Sequence, residues 1–91
     1  IIVSECHGNR MSVFDRNGNF IRHIAQNQLN RPELICVDHF DRILVADSNQ
    51  QIIKIFSSDG HFISQFGQKM MICPYAVAVD SYGRILVTDQ H

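Results

Sequence analysis

The sequence predicts an all-β chain built as a partial β-propeller of four-stranded antiparallel blades, and three observations predict it. The first is internal repetition. Shifting the 91-residue sequence by 42 positions lays Pro32-Glu33-Leu34-Ile35-Cys36-Val37-Asp38 over Pro74-Tyr75-Ala76-Val77-Ala78-Val79-Asp80, and Arg42-Ile43-Leu44-Val45-Ala46-Asp47 over Arg84-Ile85-Leu86-Val87-Thr88-Asp89. The same shift lays Ile1-Ile2-Val3-Ser4-Glu5 over Ile43 to Asp47, and Phe14, Gly18, Phe20 and Ile21 over Phe56, Gly60, Phe62 and Ile63. Roughly a third of the superposed positions are identical, and the period falls in the ~40–45-residue range of a propeller blade. The second observation is that every apolar run is about five residues long, the length of a strand and too short for the paired helices of TPR or ankyrin repeats. The third is turn chemistry between the runs, with Asn17-Gly18 and Asp59-Gly60 in matching places.

Each element follows in order within one unit. Pro32 and Pro74 stand where the first strand opens, a position at which the missing N–H does least harm. Leu34 to Val37 is the first apolar run and ends at Asp38. Asp41-Arg42 and its counterpart Tyr82-Gly83-Arg84 turn the first hairpin. Ile43 to Ala46 is the second run and ends at Asp47. Ile52-Ile53-Lys54-Ile55-Phe56 is the third, rich in β-branched residues, and Phe62-Ile63-Ser64-Gln65-Phe66 the fourth. Asn-Gly and Asp-Gly tolerate the positive φ of a tight type I′ turn, which predicts type I′ hairpins between the third and fourth strands. Residues 1–31 then form the end of one blade, 32–73 a complete blade with its connecting loop, and 74–91 the start of the next. A partial ring leaves faces uncovered and edges unpaired, so a fragment of a larger ring, prone to associate, is the expectation.

Composition narrows the function classes. Eight basic residues against nine acidic ones, a net charge of −1, point to neither nucleic acid nor membrane. No apolar run approaches the ~20 residues that span a bilayer. Cys6, Cys36 and Cys73 are odd in number and form no C-x-x-C pair, which favours reduced thiols in a cytosolic protein. Cys36 alternates with apolar strand residues and is expected in the core. The chain has no nucleophile elbow, no glycine-rich phosphate loop and no H-E-x-x-H. Asp38, Asp80, Asp47 and Asp89 recur at strand ends with the repeat, so they are expected to accept loop N–H groups rather than to act as acid and base. Of the five His, His7 and His91 fall in equivalent loops, with Asn49 between them in the repeat, which leaves a metal-site alternative open. No cofactor is expected.

These residues resemble the NHL repeat family. Its pattern of a Pro, an apolar-Ala-Val-Asp strand, a turn, an apolar strand ending in Ala-Asp, a polar loop and an Arg-apolar strand ending in Val-Phe is matched by Pro74 to Asp80, by Gly83 to Asp89, and by Ile43 to Asn49 followed by Ile55-Phe56 and Asp59-Gly60. Departures are Leu34 and Ala76 in place of the family's first-strand Gly, and Ile52 in place of the Arg kept as Arg10. In texture the chain is similar to TRIM-NHL and Brat-type propellers, and the resemblance implies a closed ring of six blades. It implies a binding platform rather than an enzyme, cytoplasmic in location, with single-stranded messenger RNA on the rim formed by the loop after each second strand and the loop between blades. Amide, guanidinium and aromatic groups can read and stack on unpaired bases. The rim residues so implicated are Arg10 first, then Arg31, Lys69, Tyr75, His7 and Asn49. The alternatives are a protein partner, as in the substrate-recognition part of a RING-type ubiquitin ligase, and, with less support, a metal-dependent amidating lyase. Met70-Met71-Ile72 is apolar for a loop and is expected either to pack under the rim or to meet a protein partner.

Overall fold

A computed structural model describes residues 1–5 and 7–89. Among them are nine strands and no helix. They are β1 (Ile2–Glu5), β2 (Arg10–Phe14), β3 (Phe20–Ile24), β4 (Pro32–Val37), β5 (Ile43–Asp47), β6 (Ile52–Phe56), β7 (Phe62–Phe66), β8 (Pro74–Val79) and β9 (Ile85–Asp89). All pairing is antiparallel between chain neighbours, in three sheets ordered β1-β2-β3, β4-β5-β6-β7 and β8-β9. The expected all-β fold is therefore observed. The strands lie where the four apolar runs place them, with β4 opening at the proline itself: Pro32 pairs with Asp47, and a bulge follows before Ile35 pairs with Val45.

The sheets lie face to face and the core lies between them. Ile43, Val45 and Phe56 of the middle sheet pack with Met11, Ile24, Ala25 and Leu29 on one side. Leu44, Ala46, Ile53 and Ile55 pack with Val77 on the other, joined by Cys36, Met71, Val79 and Val87. Because successive strand residues point to opposite faces, strands covered on both sides are expected to be largely apolar, and all ten residues of the inner strands β5 and β6 are buried. The one basic residue among them is Lys54, whose ammonium group donates to the Gln28 carbonyl and lies 3.7 Å from Asp47. Cys36 is half-buried against this second cluster, and burial pushes its thiol pKa up, with a smaller contribution from the Asp38 carboxylate.

The hairpins differ from the type I′ expectation. In the turn after β6, Gly60 N donates to Ser57 O at 2.9 Å and Ser57 N to His61 O at 2.8 Å, and only Gly60 has positive φ, at 88°. A type I′ turn needs two such residues. The structure instead has a type I turn closed by a left-handed glycine, with the register shift between Ile55 and Phe56 that such a bulge produces. The turn after β2 is the same, with Gly18 at φ 86°. Asp38–Arg42 and Asp80–Arg84 close the first hairpins in this way too, with Asp41 (φ 61°) standing where the next unit has Gly83 (φ 81°).

The recurring aspartates hold these turns. Asp38 Oδ1 accepts the N–H groups of Phe40 and Arg42, each at 2.9 Å, and Oδ2 accepts the Arg42 guanidinium at 2.7 Å. Asp80 repeats the arrangement with Tyr82 and Arg84. Burial pushes the Asp38 carboxyl up, but these donors outweigh it and hold the group below its ordinary range.

Candidate functional site

The loop that follows each second strand and the loop that joins successive sheets emerge at one end of the stack, and hydrogen bonds sew them together. Asp47, at the end of β5, accepts the Asn30 N–H at 2.8 Å, and Asp89, at the end of β9, accepts those of Ile72 and Cys73 at 3.0 and 2.9 Å. Asn49 N donates to Asn30 O at 3.2 Å and its side-chain amide to Asn30 Oδ1 at 3.1 Å. Ser48 Oγ donates to Arg31 O at 2.8 Å, Gln51 Nε2 to Ile72 O at 2.9 Å, and Arg31 N to Asn9 Oδ1 at 3.2 Å. The last of these bonds joins the loop of the first sheet to the strand opening of the second. The result is one continuous polar rim running across successive sheets.

Its backbone is unusual. Among the described residues, six of the seven non-glycine positions with positive φ lie here: Asn9, Ala25, Asn27, Arg31, Gln51 and Lys69. Five of them fall into the repeat, because Asn9 matches Gln51, Asn27 matches Lys69, and Ala25 matches Gly67, which is also left-handed at φ 89°. Arg31 alone breaks it. Its φ is 65°, whereas Cys73, its counterpart, is not in this region. Its strained backbone is fixed by Asn9 and Ser48, and it projects a guanidinium whose side chain is 57% exposed, 3.4 Å from Glu33. Left-handed conformation in a residue with a Cβ costs about 1–2 kcal/mol and marks positions that the surrounding structure over-determines.

The other implicated residues occupy the same end. His7 is exposed in the loop before β2, Arg10 opens β2, Asn49 and Lys69 are exposed in their loops, and Tyr75, 37% exposed, is the second residue of β8. Arg10 is committed locally, with Nε 3.3 Å from Glu5 Oε2. Of the apolar loop residues, Met71 packs into the core whereas Met70 and Ile72 are 80% and 59% exposed. Cys6 and His91 lie outside the described residues, and with His91 the proposed pairing to His7. Among the described residues no group of three or more His, Cys, Asp or Glu is placed to hold a metal ion, and no helix is long and apolar enough to cross a membrane.

A cluster that sequence reading missed lies beside this rim. Glu5 occupies the place of Asp47, Ser12 that of Lys54 and His23 that of Gln65. Ser12 Oγ donates to Glu5 Oε2 and lies 3.0 Å from His23 Nδ1, and His23 is 3.7 Å from Glu5. The Ser12 hydrogen bond first, then those from Arg10, hold the Glu5 carboxyl below its ordinary range against desolvation. The residue types suggest a hydrolytic triad, but the order is wrong for one. The hydroxyl sits between carboxylate and imidazole, gives its proton to the carboxylate, and is only 4% exposed. The signal available in the sequence was the departure from the repeat at three positions together.

No protein-family model matches the chain, and no curated protein matches it.

Proposed function

We propose that the three sheets are successive NHL-type blades of a β-propeller and that the sewn rim is a binding platform for single-stranded RNA. The observation that carries the reading is Arg31, among the described residues the left-handed position whose repeat counterpart, Cys73, is not left-handed, exposed at the junction of two sheets and flanked by amide-rich loops. A repeated fold needs only repeated geometry, and a singular, strained, basic position on its rim is where recognition has reason to enter. Asn49 and His7 offer donors and acceptors to base edges, Tyr75 a stacking plane, and Lys69 a phosphate contact. Arg10 and Arg31 are partly compensated by Glu5 and Glu33. Base stacking and edge contacts then outweigh phosphate neutralisation, and a shallow salt dependence is expected. The reading assigns no catalytic residue.

The test is fluorescence anisotropy of a labelled random-sequence single-stranded RNA titrated with the chain at several salt concentrations. Lys69→Glu should weaken binding and lower the salt slope by about 1, the loss of one phosphate contact. Arg31→Glu should weaken it about tenfold or more, the range of a lost charge-assisted contact. Unchanged affinity in both variants removes the RNA reading. A second reading, a protein partner such as the substrate of a ubiquitin ligase, is favoured by exposed Met70 and Ile72 on the same rim. In that case Met70→Lys, and not Lys69→Glu, abolishes the interaction.

A further inference from the structure

We propose that the turn between β4 and β5 is a recognition tip for an arginine side chain on a basic segment of a protein partner, the guanidinium stacking on the free face of Phe40 and pairing with Asp41. The tip stands at the opposite end of β5 from the rim, and the inference does not rest on the RNA reading. Phe40 is 80% exposed. The Arg42 guanidinium lies over its ring, 5.5 Å from the centre, and is itself held by Asp38 at 2.7 Å. One face of the ring is thus stacked by a neutralised cation, and the other is open to solvent. His39 is engaged as well, with Nε2 3.1 Å from the Asp80 carbonyl oxygen of the next turn.

Asp41 is the group left over. It is exposed, and among the described residues its carboxylate takes part in no hydrogen bond or ion pair. The turn requires its φ of 61°, because Gly83 fills the same place in the next unit at 81°. Glycine meets that geometry without strain, whereas a residue with a Cβ is the costlier choice. No internal contact of the side chain offsets this cost. What the aspartate adds is an outward carboxylate beside an open aromatic ring.

The repeat supplies a control for this openness. Phe40 is exposed with a following sheet, β8-β9, at its side, and its repeat-mate Tyr82 is 84% exposed with a preceding sheet, β4 to β7, at its side. A Cβ on Gly83, which has the same preceding sheet beside it, would meet nothing within 4 Å. A neighbouring sheet on either side therefore leaves the tip uncovered. The chemistry of the occupant follows from charge. Asp38 and Arg42 cancel, as do Asp80 and Arg84 at 2.6 Å, and at neutral pH Asp41 leaves the tip negative. Such a tip repels a phosphate backbone. It favours a cation that can lie flat on a ring and meet a carboxylate with its edge, which a planar guanidinium does better than an ammonium group.

Titration of the isotope-labelled chain with a hexaarginine peptide, followed by backbone amide chemical shifts, tests this. The largest shifts should fall at residues 39–42. Asp41→Gly installs the repeat-mate's residue in the same geometry, so the chain should stay folded with stability unchanged or raised, while affinity at this tip falls about fivefold, the upper worth of one exposed ion pair. Phe40→Ala should weaken it by a similar factor through loss of the ring face. Gly83→Asp should create a second responsive tip at residues 81–84, and hexalysine should bind the wild-type chain more weakly than hexaarginine. Equal affinity of the wild-type and Asp41→Gly chains would overturn the assignment. So would hexalysine binding as tightly as hexaarginine, shifts spread over the exposed carboxylates with no maximum at 39–42, or the same amides responding equally to single-stranded RNA.

Discussion

Gly18 and Gly60 fill the same place in two copies of the turn, with φ of 86° and 88°, yet they are not equivalent. A Cβ on Gly18 would meet nothing within 4 Å, whereas one on Gly60 would stand 2.7 Å from the Ile24 Cβ of the neighbouring sheet. Gly18→Ala should cost only the left-handed penalty of about 1–2 kcal/mol. Gly60→Ala adds an overpacking cost of about 1–3 kcal/mol, because the turn must move away from the sheet it touches. Urea midpoints of the two variants check the order, and equal losses would show that the Gly60 contact yields. Lys54 and Asp47 give a second contrast. Burial pushes the Asp47 carboxyl up against the pull of Asn30 N–H and Lys54, and its Oδ2 is buried without a hydrogen bond. Lys54→Met removes the one counter-charge and should cost about 3–5 kcal/mol at neutral pH. The sign with pH follows from linkage. A carboxyl whose folded pKa is raised binds its proton more readily when folded, so stability from this group is present below its unfolded pKa and lost as pH rises through the folded one. Removing Lys54 raises the folded pKa further. The deficit of the variant should therefore shrink as pH falls toward the Asp range, which denaturation of both chains at neutral pH and at about pH 4 measures.

Among the elements, burial sorts the strands into two groups. β5 and β6 are buried along their whole length, while β7 has four of its five residues exposed and β3 likewise. Strands covered on both faces open only with the whole core, whereas outer strands open locally. Native-state hydrogen exchange should rank β5 and β6 slowest and β3, β7 and β9 fastest. A uniform rate across the middle sheet would contradict the packing. The strand positions were readable because apolar runs of about five residues, bounded by prolines, aspartates and turn residues, are local signals. The turn class was not. Asn-Gly and Asp-Gly suit both a type I′ turn and a type I turn with a left-handed glycine, and only the register of the flanking strands, settled by packing across sheets, selects between them.

At the scale of the molecule, the sheets stack so that each hides one face of its neighbour, and the two outer sheets retain apolar side chains in solvent. Val3 and Phe20 are exposed at one end of the stack, and Ile85 and Leu86 at the other. A 42-residue period with strand-length runs was sufficient to define the unit and its all-β nature, because strand spacing, prolines and turn residues act over a few positions and need no distant partner. The same pattern named Asp38 and Asp80 as turn clamps and gathered the rim loops at one end, since hairpin connectivity alone sends alternate loops to the same side. Three things waited for the tertiary structure: the left-handed backbone of Arg31, the Glu5–Ser12–His23 cluster, and the commitment of Arg10 and Arg31 to carboxylate partners. Each depends on which side chain of one sheet meets which backbone of the next. That is fixed by close packing between residues far apart in the chain, where a difference of an ångström decides whether a group is a donor to its neighbour or available to a ligand.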